Sequence, residues 1–330
     1  MIEIRWHGRG GQGSFTASRI LGAAASLYGN KYSLKINARN ITDKEFFYGH
    51  KGCAGCGGSL AVRLALKVLG ERTYTVLPAG CMSAVGFVYP QLCFSTNAMI
   101  STFAGTASML SGIAAGARAL GIKGFHAVGI AGDGGTADIG IQALSGAIDR
   151  NEQIIYICYD NEAYMNTGIQ KSGLTPFGAR TTTTPAGQNI HGSITQKKNM
   201  FEIAAAHGIS YAATASIGYA QDFMNKLVKA KEVKGTSYIH VYAPCPTGWG
   251  TPEDITVELG KEVVDTGLWY LAEYENGSFK LNKNPKEFLS VEEFLRKQGR
   301  FRHLDEKDIA HIIESRDKKW EYIRKNWEVA

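Results

Sequence analysis

Four of the six cysteines constrain the fold of this 330-residue chain most, because a shared metal centre requires distant parts of the chain to meet. They are Cys53, Cys56, Cys81 and Cys245. The first two form a close pair, whereas the other two are single and far apart. Four thiolates hold either an iron–sulfur cluster or a zinc ion. Zinc sites more often use two compact pairs, so the spacing favours a cluster and leaves zinc as the alternative.

The beginning of the chain and its composition favour a soluble protein of a reducing compartment. The first seven residues lack the apolar core of a signal peptide, and no apolar stretch is long enough to span a bilayer. We therefore expect a cytoplasmic protein with no membrane partner. The net charge of +6 is mild and is not gathered into a basic stripe, so we expect no nucleic-acid partner. Cys93 and Cys158 lie in apolar surroundings and are expected to be buried small residues.

Short apolar runs alternate with segments of helical periodicity along most of the chain. This alternation predicts an α/β fold, with a mainly parallel sheet and helices on both faces. The predicted strands cover residues 73–77, 126–131, 153–159, 211–216 and 237–243. The predicted helices cover residues 101–120, 141–150, 201–207 and 219–234. The intervening residues 168–198 read as a long loop rich in Thr, Gly and Gln, which in a compact domain indicates function.

A glycine-rich turn with one carboxylate follows the predicted strand 126–131. It reads Gly132-Asp133-Gly134-Gly135, and Asn161 follows the next strand along the chain. Backbone N–H groups of such a turn can approach a diphosphate, and Asp133 offers a hard oxygen ligand for Mg²⁺. The amide of Asn161 and the carbonyl oxygen of Ala163 can complete the protein's share of that magnesium shell. The spacing is typical of thiamine diphosphate sites; the alternative is an aspartate that only caps a helix.

Several stretches together resemble one family. From about residue 39 to residue 327, the chain resembles the thiamine-binding β subunit of the 2-oxoacid:ferredoxin oxidoreductases. The stretches that carry the resemblance are GHKGCAGCG (49–57), AGDGGTADIG (131–140), YDNEAYMNTG (159–168), TTTTPAG (181–187) and APCPTGW (243–249).

The resemblance implies a set of cofactors and the residues that hold them. The four cysteines named above would bind one 4Fe–4S cluster beside thiamine diphosphate. Asp133, Asn161 and the Ala163 carbonyl would bind Mg²⁺. The residues expected to contact the thiamine cofactor are Gly132, Asp133, Gly134, Gly135, Asn161, Ala163, Tyr164 and Asn166. Asn166 and Thr167 would be the catalytic residues, facing the thiazolium ring and the reacting substrate.

The same resemblance implies partners and a reaction. The α subunit would supply the glutamate that activates the aminopyrimidine, so this chain alone would be incomplete. Ferredoxin-like γ or δ subunits would carry further clusters, and ferredoxin would be the final electron acceptor. The small-molecule substrate would be a 2-oxoacid or oxalate, decarboxylated on thiamine diphosphate while the cluster removes electrons one at a time.

The residues around the third cysteine bear on the substrate. Pyruvate-type members have Thr-Gly-Cys-Met-Glu here, whereas this chain has Ala79-Gly80-Cys81-Met82-Ser83. The chain therefore looks closer to the oxalate-oxidising member, with the CoA-acylating pyruvate enzyme as the alternative. Arg180, on the long loop, is a candidate for binding the extra carboxylate of oxalate, or is an ordinary surface arginine. More distant alternatives are a non-redox thiamine enzyme with a structural zinc site and a non-catalytic electron-transfer or structural protein.

Three regions are predicted along the chain. Residues 1–35 do not fit a β subunit and resemble the opening of the family's γ subunit. Residues 36–250 would form the thiamine diphosphate-binding domain with the cluster. Residues 251–330 would form a charged, helical C-terminal arm, lying on this domain or on a partner subunit.

Overall fold

The computed structural model of the chain describes residues 41–187 and 190–329. The predicted N-terminal region, residues 1–35, lies outside the described residues, so its assignment stays a prediction. None of the helices within the described ranges combines the length and the apolar character needed to cross a membrane.

The strands carry the functional loops at their ends. In chain order they are β1 (Thr73–Pro78), β2 (Asn97–Ser101), β3 (His126–Gly132), β4 (Ile155–Asp160), β5 (Ala186–Gly187), β6 (Ile190–His191), β7 (Tyr211–Ser216), β8 (Ser237–Tyr242), β9 (Ala272–Glu275), β10 (Ser278–Leu281) and β11 (Glu328–Val329). Among the described residues, nine of them form one sheet in the order β11-β10-β9-β7-β8-β4-β3-β1-β2, and β5 pairs with β6. From β7 to β2 all neighbouring strands are parallel, and β9 and β10 are antiparallel additions.

Helices cover both faces of the sheet, as predicted. They are α1 (Gly57–Leu69), α2 (Cys81–Gly86), α3 (Thr106–Ala119), α4 (Asp133–Ala137), α5 (Ile141–Asp149), α6 (Met200–Ala206), α7 (Ala220–Glu232), α8 (Pro246–Trp249), α9 (Thr256–Asp265), α10 (Val291–Arg296) and α11 (Glu306–Asn326). One apolar core holds α1 and α7 against the sheet, and a second holds α3, α5, α6 and α11. Strands β4, β7 and β8 are buried along their whole length, as expected for parallel strands covered on both sides.

The predicted strand over residues 73–77 and the four predicted strands that follow it are confirmed, with ends that differ by at most two residues. One predicted helix was too long, because residues 97–101 form the edge strand β2 and α3 begins only at Thr106. Most side chains of β2 are exposed or half-buried, so its sequence lacks the apolar run that reveals a central strand.

The C-terminal segment is more than a helical arm. It contains the long helix α11, whose Trp320 and Ile323 are buried in the second core, and it also supplies β9, β10 and β11. The signal for the β9–β10 hairpin was Asn276-Gly277, both with positive φ (52° and 83°), as a tight two-residue turn requires. The segment thus lies on the domain and extends its sheet, while the division of the chain near residue 250 stays a prediction.

Candidate functional site

A cleft opens where β1, β3 and β4 end, at the carboxyl edge of the parallel sheet. In doubly wound α/β folds this edge is where ligands bind, because the loops after the strands diverge there. The cleft is lined by all nine residues predicted to contact the thiamine cofactor or the substrate: Gly132, Asp133, Gly134, Gly135, Asn161, Ala163, Tyr164, Asn166 and Thr167. The structure therefore brings together residues that the sequence places on two separate strand ends.

Three potential magnesium ligands converge in this cleft. One atom of the Asn161 side-chain amide lies 2.9 Å from Asp133 Oδ1 and 3.0 Å from the Ala163 carbonyl oxygen. With nitrogen in that position the amide donates two hydrogen bonds; with oxygen there, three acceptors face one another. Neighbouring ligands of an octahedral Mg²⁺ are about 3 Å apart, since each lies about 2.1 Å from the ion. The spacing of these three groups therefore fits a magnesium ion.

Asp133 is fully buried at the start of α4. Burial raises the pKa of its carboxyl group well above the usual range, and the nearby charge of Asp160 raises it further. The hydroxyl of Ser172 donates a short hydrogen bond to Asp133 Oδ2. A bound dication would oppose the effect of burial and hold the carboxylate ionised. Ser172 was not predicted individually, although it lies on the long loop that the sequence marked as functional.

The glycines of the turn permit close packing. A Cβ atom on Gly134 would collide with the ring of Tyr164, which covers the turn and donates a hydrogen bond to Asp138 Oδ2 at 3.0 Å. Asn166 and Thr167 lie exposed at the rim of the cleft, where Thr167 Oγ1 donates to Gln170 Oε1 at 2.6 Å. Arg180 is exposed and does not line the cleft.

The loops that carry the four cysteines meet beside the cleft. The backbone N–H of Gly57 donates to the Pro244 carbonyl at 3.1 Å, which joins the loop of Cys56 to that of Cys245. Cys81 begins α2 directly after the cleft-lining Gly80. Burial raises the pKa of the Cys81 thiol to about 12, and the charges of the other three cysteines raise it too. All four sulfurs are thus close enough to interact electrostatically.

The spacing of the sulfurs bears on the choice between zinc and a cluster. Within residues 41–187 and 190–329, one group of three potential ligands has donor atoms within 4.8 Å of one another, and it contains none of the cysteines. Sulfurs around one tetrahedral zinc ion lie about 3.8 Å apart, because each Zn–S bond is about 2.3 Å long. In this structure no three of the cysteine sulfurs lie within that distance of one another, and the identity of the metal centre stays a prediction.

A buried tyrosine, Tyr159, lies beside both the glycine-rich turn and the loop of Cys81. A Cβ atom on Gly132, in the cleft, would lie 3.3 Å from the Tyr159 hydroxyl, and one on Gly80 would lie 3.6 Å from it. Burial raises the pKa of Tyr159 well above its usual value, with contributions from Cys81, Asp133 and Cys56. The phenol thus lies near both the predicted magnesium ligands and the predicted cluster ligands.

A parallel sheet that brings a Gly-Asp-Gly turn and an asparagine together at neighbouring strand ends defines the class of thiamine diphosphate-binding enzymes. Residues 78–241 match the family described as "Thiamine pyrophosphate enzyme, C-terminal TPP binding domain". The chain is 50% identical over 285 residues to pyruvate synthase subunit PorB of Methanothermobacter thermautotrophicus, covering 86% of this chain and 99% of the relative. It is 47% identical over 294 residues to ketoisovalerate oxidoreductase subunit VorB of Pyrococcus horikoshii, covering 87% and 94%.

The chain belongs to the β subunits of the 2-oxoacid:ferredoxin oxidoreductases, as the sequence motifs indicated. A more distant relative, pyruvate synthase subunit PorB of Thermotoga maritima, is 40% identical over 309 residues, covering 90% of this chain and 94% of the relative. The solved 2-oxoglutarate:ferredoxin oxidoreductase from Magnetococcus marinus is similar in fold, with a TM-score of 0.53 at 18% identity. That similarity covers 67% of this chain and 82% of the solved chain.

Proposed function

We propose that this chain is the β subunit of a pyruvate:ferredoxin oxidoreductase that transfers the acyl group to coenzyme A. The observation that carries the proposal is the convergence of the Asp133, Asn161 and Ala163 oxygens in one cleft, with four cysteines beside it. The names of the relatives at 50% and 40% identity support pyruvate. The oxalate preference drawn from the residues around Cys81 has no such support. The relative at 47% identity makes 2-ketoisovalerate the second candidate substrate.

Thiamine diphosphate, when bound, supplies the carbanion and the electron sink that decarboxylation of a 2-oxoacid requires. Asp133, Asn161 and the Ala163 carbonyl would hold Mg²⁺, whose charge would offset that of the cofactor's diphosphate. The turn from Gly132 to Gly135 lines the cleft that would receive that diphosphate, and the Tyr164 ring packs on Gly134. Asn166 and Thr167, at the rim, would face the substrate; the Thr167 hydroxyl would have to leave Gln170 to donate to it. Asp133 is held in position by the hydroxyl of Ser172.

The four cysteines would hold a 4Fe–4S cluster, which would supply one-electron chemistry beside the cleft. Cys56 and Cys245 each accept a backbone N–H at the start of a helix, from Ser59 at 3.4 Å and Gly248 at 3.3 Å. Such bonds stabilise sulfur-centred negative charge and tune the reduction potential of a cluster. In this proposal an α subunit completes the active site, ferredoxin-like subunits receive the electrons, and ferredoxin carries them away. A reducing cytoplasm is the compartment that suits such a cluster.

We further propose that residues 36–250 form the cofactor-binding domain and that residues 251–330 form its C-terminal arm. The described part of that arm extends the same sheet, and its own apolar core includes Ala179, Tyr242 and Trp249 of the preceding region.

Substrate specificity is tested on the purified complex under anoxia. We expect kcat/KM for ferredoxin reduction to be at least roughly tenfold higher with pyruvate and coenzyme A than with 2-ketoisovalerate and coenzyme A. The reason is that the isopropyl group of 2-ketoisovalerate would have to fit a pocket suited to the single methyl group of pyruvate. Oxalate is the third substrate in the assay. A higher kcat/KM with oxalate, independent of coenzyme A, would restore the oxalate interpretation.

Cofactor content separates the enzyme from a non-catalytic electron-transfer protein. We expect an acid extract of the complex to contain about one thiamine diphosphate per β chain, because one cleft with one set of magnesium ligands is present. Treatment with a chelator followed by gel filtration should release it, and adding Mg²⁺ with the cofactor should restore it. Extracts without thiamine diphosphate, and no rebinding, would contradict the proposal.

A further inference from the structure

The turn that carries two of the proposed magnesium ligands has an unusual backbone. Asn161 and Ala163 lie on either side of Glu162, and Glu162 has a φ of +67°. Residues other than glycine rarely adopt this left-handed conformation, and they keep it only when their surroundings hold them there. We refer to residues 160–163 as the metal turn. Side chains from other parts of the chain hold the metal turn in this conformation.

Lys197 joins the two carboxylates of the metal turn. Its Nζ lies 2.6 Å from Asp160 Oδ2 and 2.6 Å from Glu162 Oε1. The side chains of Asp160 and Glu162 are 0% and 6% exposed, so neither charge has water as an alternative partner. His240 Nε2 lies 2.9 Å from the same oxygen of Asp160. The ammonium group therefore links the side chains of the residues directly before and directly after Asn161.

Arg300 holds the metal turn from the other side. Its guanidinium donates to Glu162 Oε2, is fixed by Gln298 Oε1 at 2.8 and 3.0 Å, and stacks on the ring of Trp249 at 3.8 Å. The Trp249 indole N–H donates to the backbone carbonyl of Asn161 at 2.9 Å. Arg300 thus fixes both the Glu162 carboxylate and the tryptophan that holds the Asn161 backbone.

The hydroxyl of Thr175 adds a hydrogen bond to the Glu162 carbonyl at 2.7 Å. Through these contacts, the carboxylates of Asp160 and Glu162 and the backbone carbonyl groups of Asn161 and Glu162 all bind partners other than Asp133. The Asn161 amide and the Ala163 carbonyl are left to face Asp133. The cations come from two distant segments, since Lys197 lies on the long loop and Arg300 on the C-terminal segment.

We propose that Lys197 and Arg300 are positioning residues that hold the metal turn in its magnesium-binding conformation. This inference rests on the proposed function, because it assumes that Asn161 and Ala163 bind Mg²⁺. Without the Lys197 ammonium, two buried carboxylates on adjacent sides of Asn161 would repel each other and draw in water. The turn would then lose the left-handed conformation that points both oxygens at the ion.

The test is magnesium-dependent binding of thiamine diphosphate to the complex, after both have been removed with a chelator. For Lys197→Met we expect apparent affinity to fall about 10–100-fold, the usual effect of removing a residue that orients metal ligands. The KM for the cofactor should rise by the same factor, while kcat at saturating cofactor and Mg²⁺ stays within about threefold. Lys197→Arg, which keeps the cation, should recover most of the affinity.

Lys226→Met is the matched control. Lys226 is also buried and paired, with Nζ 2.6 Å from Asp222 Oδ2, but it makes no contact with the metal turn. The control should lower stability and leave cofactor affinity unchanged. The proposal would be overturned if Lys197→Met and Lys226→Met lost cofactor affinity equally, or if Lys197→Met kept the wild-type affinity.

A second variant decides the matter if Lys197→Met does not assemble. Glu162→Gln keeps the shape of the side chain and removes the charge that Lys197 and Arg300 both hold. Wild-type affinity in Glu162→Gln would refute the positioning role, and a 10–100-fold loss would support it. A wild-type complex without any magnesium-dependent binding would refute the proposed function itself, which distinguishes the two failures.

Discussion

The Asp133→Ala variant is expected to lose thiamine diphosphate during purification while keeping its iron. Asp133 supplies the charged oxygen of the proposed magnesium site, and Asn161 and Ala163 supply only neutral ones. Orienting residues alone change metal affinity by about 10–100-fold, so loss of the charged ligand should cost at least about 100-fold. At a cofactor concentration 100 times Kd, the wild-type complex gains about 2.7 kcal/mol from binding, and the variant should lose nearly all of it.

The measurements are thiamine diphosphate and iron per β chain after gel filtration. Asp222→Asn is the control, because Asp222 is a half-buried aspartate whose carboxylate pairs with the buried Lys226 at a distance from the cleft. It should cost stability without reducing cofactor content. Unchanged thiamine diphosphate in Asp133→Ala would remove Asp133 from the magnesium site. Iron lost together with the cofactor would show that the two sites do not form independently.

The sequence predicted the central sheet because its strands are buried on both faces. Strands such as Ile155–Asp160 and Tyr211–Ser216 read as short apolar or small-residue runs between helical segments, a pattern typical of parallel strands covered on both faces. The edge strand Asn97–Ser101 and the hairpin strands Ala272–Glu275 and Ser278–Leu281 were missed. These strands are short and each has exposed or half-buried side chains, so periodicity alone gives little indication of them.

The proposed magnesium ligands could be predicted from the sequence, whereas the cations that hold the metal turn could not. Asp133 and Asn161 each follow a parallel strand, and the carboxyl ends of parallel strands share one edge of the sheet, so their approach follows from the fold. Lys197 and Arg300 could not be found in this way. Each reads in the sequence as an ordinary surface cation, and burial of their charges depends on how two distant segments fold over the metal turn. The loop containing Lys197 was recognisable as functional; the residue was not.

The short helix Pro246–Trp249 connects the proposed cluster site to the proposed magnesium site. Cys245 begins it, with Sγ accepting the Gly248 N–H, and Trp249 ends it, donating to the Asn161 carbonyl. A Cβ on Gly248 would collide with Met165, which also lines the cleft. The Cys-Pro-Thr-Gly-Trp motif therefore fixes one proposed cluster ligand and one proposed magnesium ligand within a single turn of helix. Such a link explains how the distances between the two cofactors can be kept constant.

The Cys245→Ser variant is expected to lose the cluster of the β subunit while keeping its fold. Serine is a strong helix cap, so its hydroxyl can accept the Gly248 N–H in place of the sulfur and preserve the helix Pro246–Trp249. Serine does not supply the soft thiolate that iron–sulfur clusters require. Iron should therefore fall by about four atoms per β chain relative to the wild-type complex, and ferredoxin reduction should be abolished.

Cys93→Ser provides the matched control, because Cys93 is buried and its thiol contacts the Val85 carbonyl rather than the other cysteines. It should retain full iron content, whatever its effect on stability. Thiamine diphosphate content should stay near one per β chain in both variants, because Trp249 still holds the Asn161 carbonyl. Normal iron in Cys245→Ser would exclude Cys245 from the ligand set. Zinc in place of iron in the wild-type complex would contradict the proposed cluster.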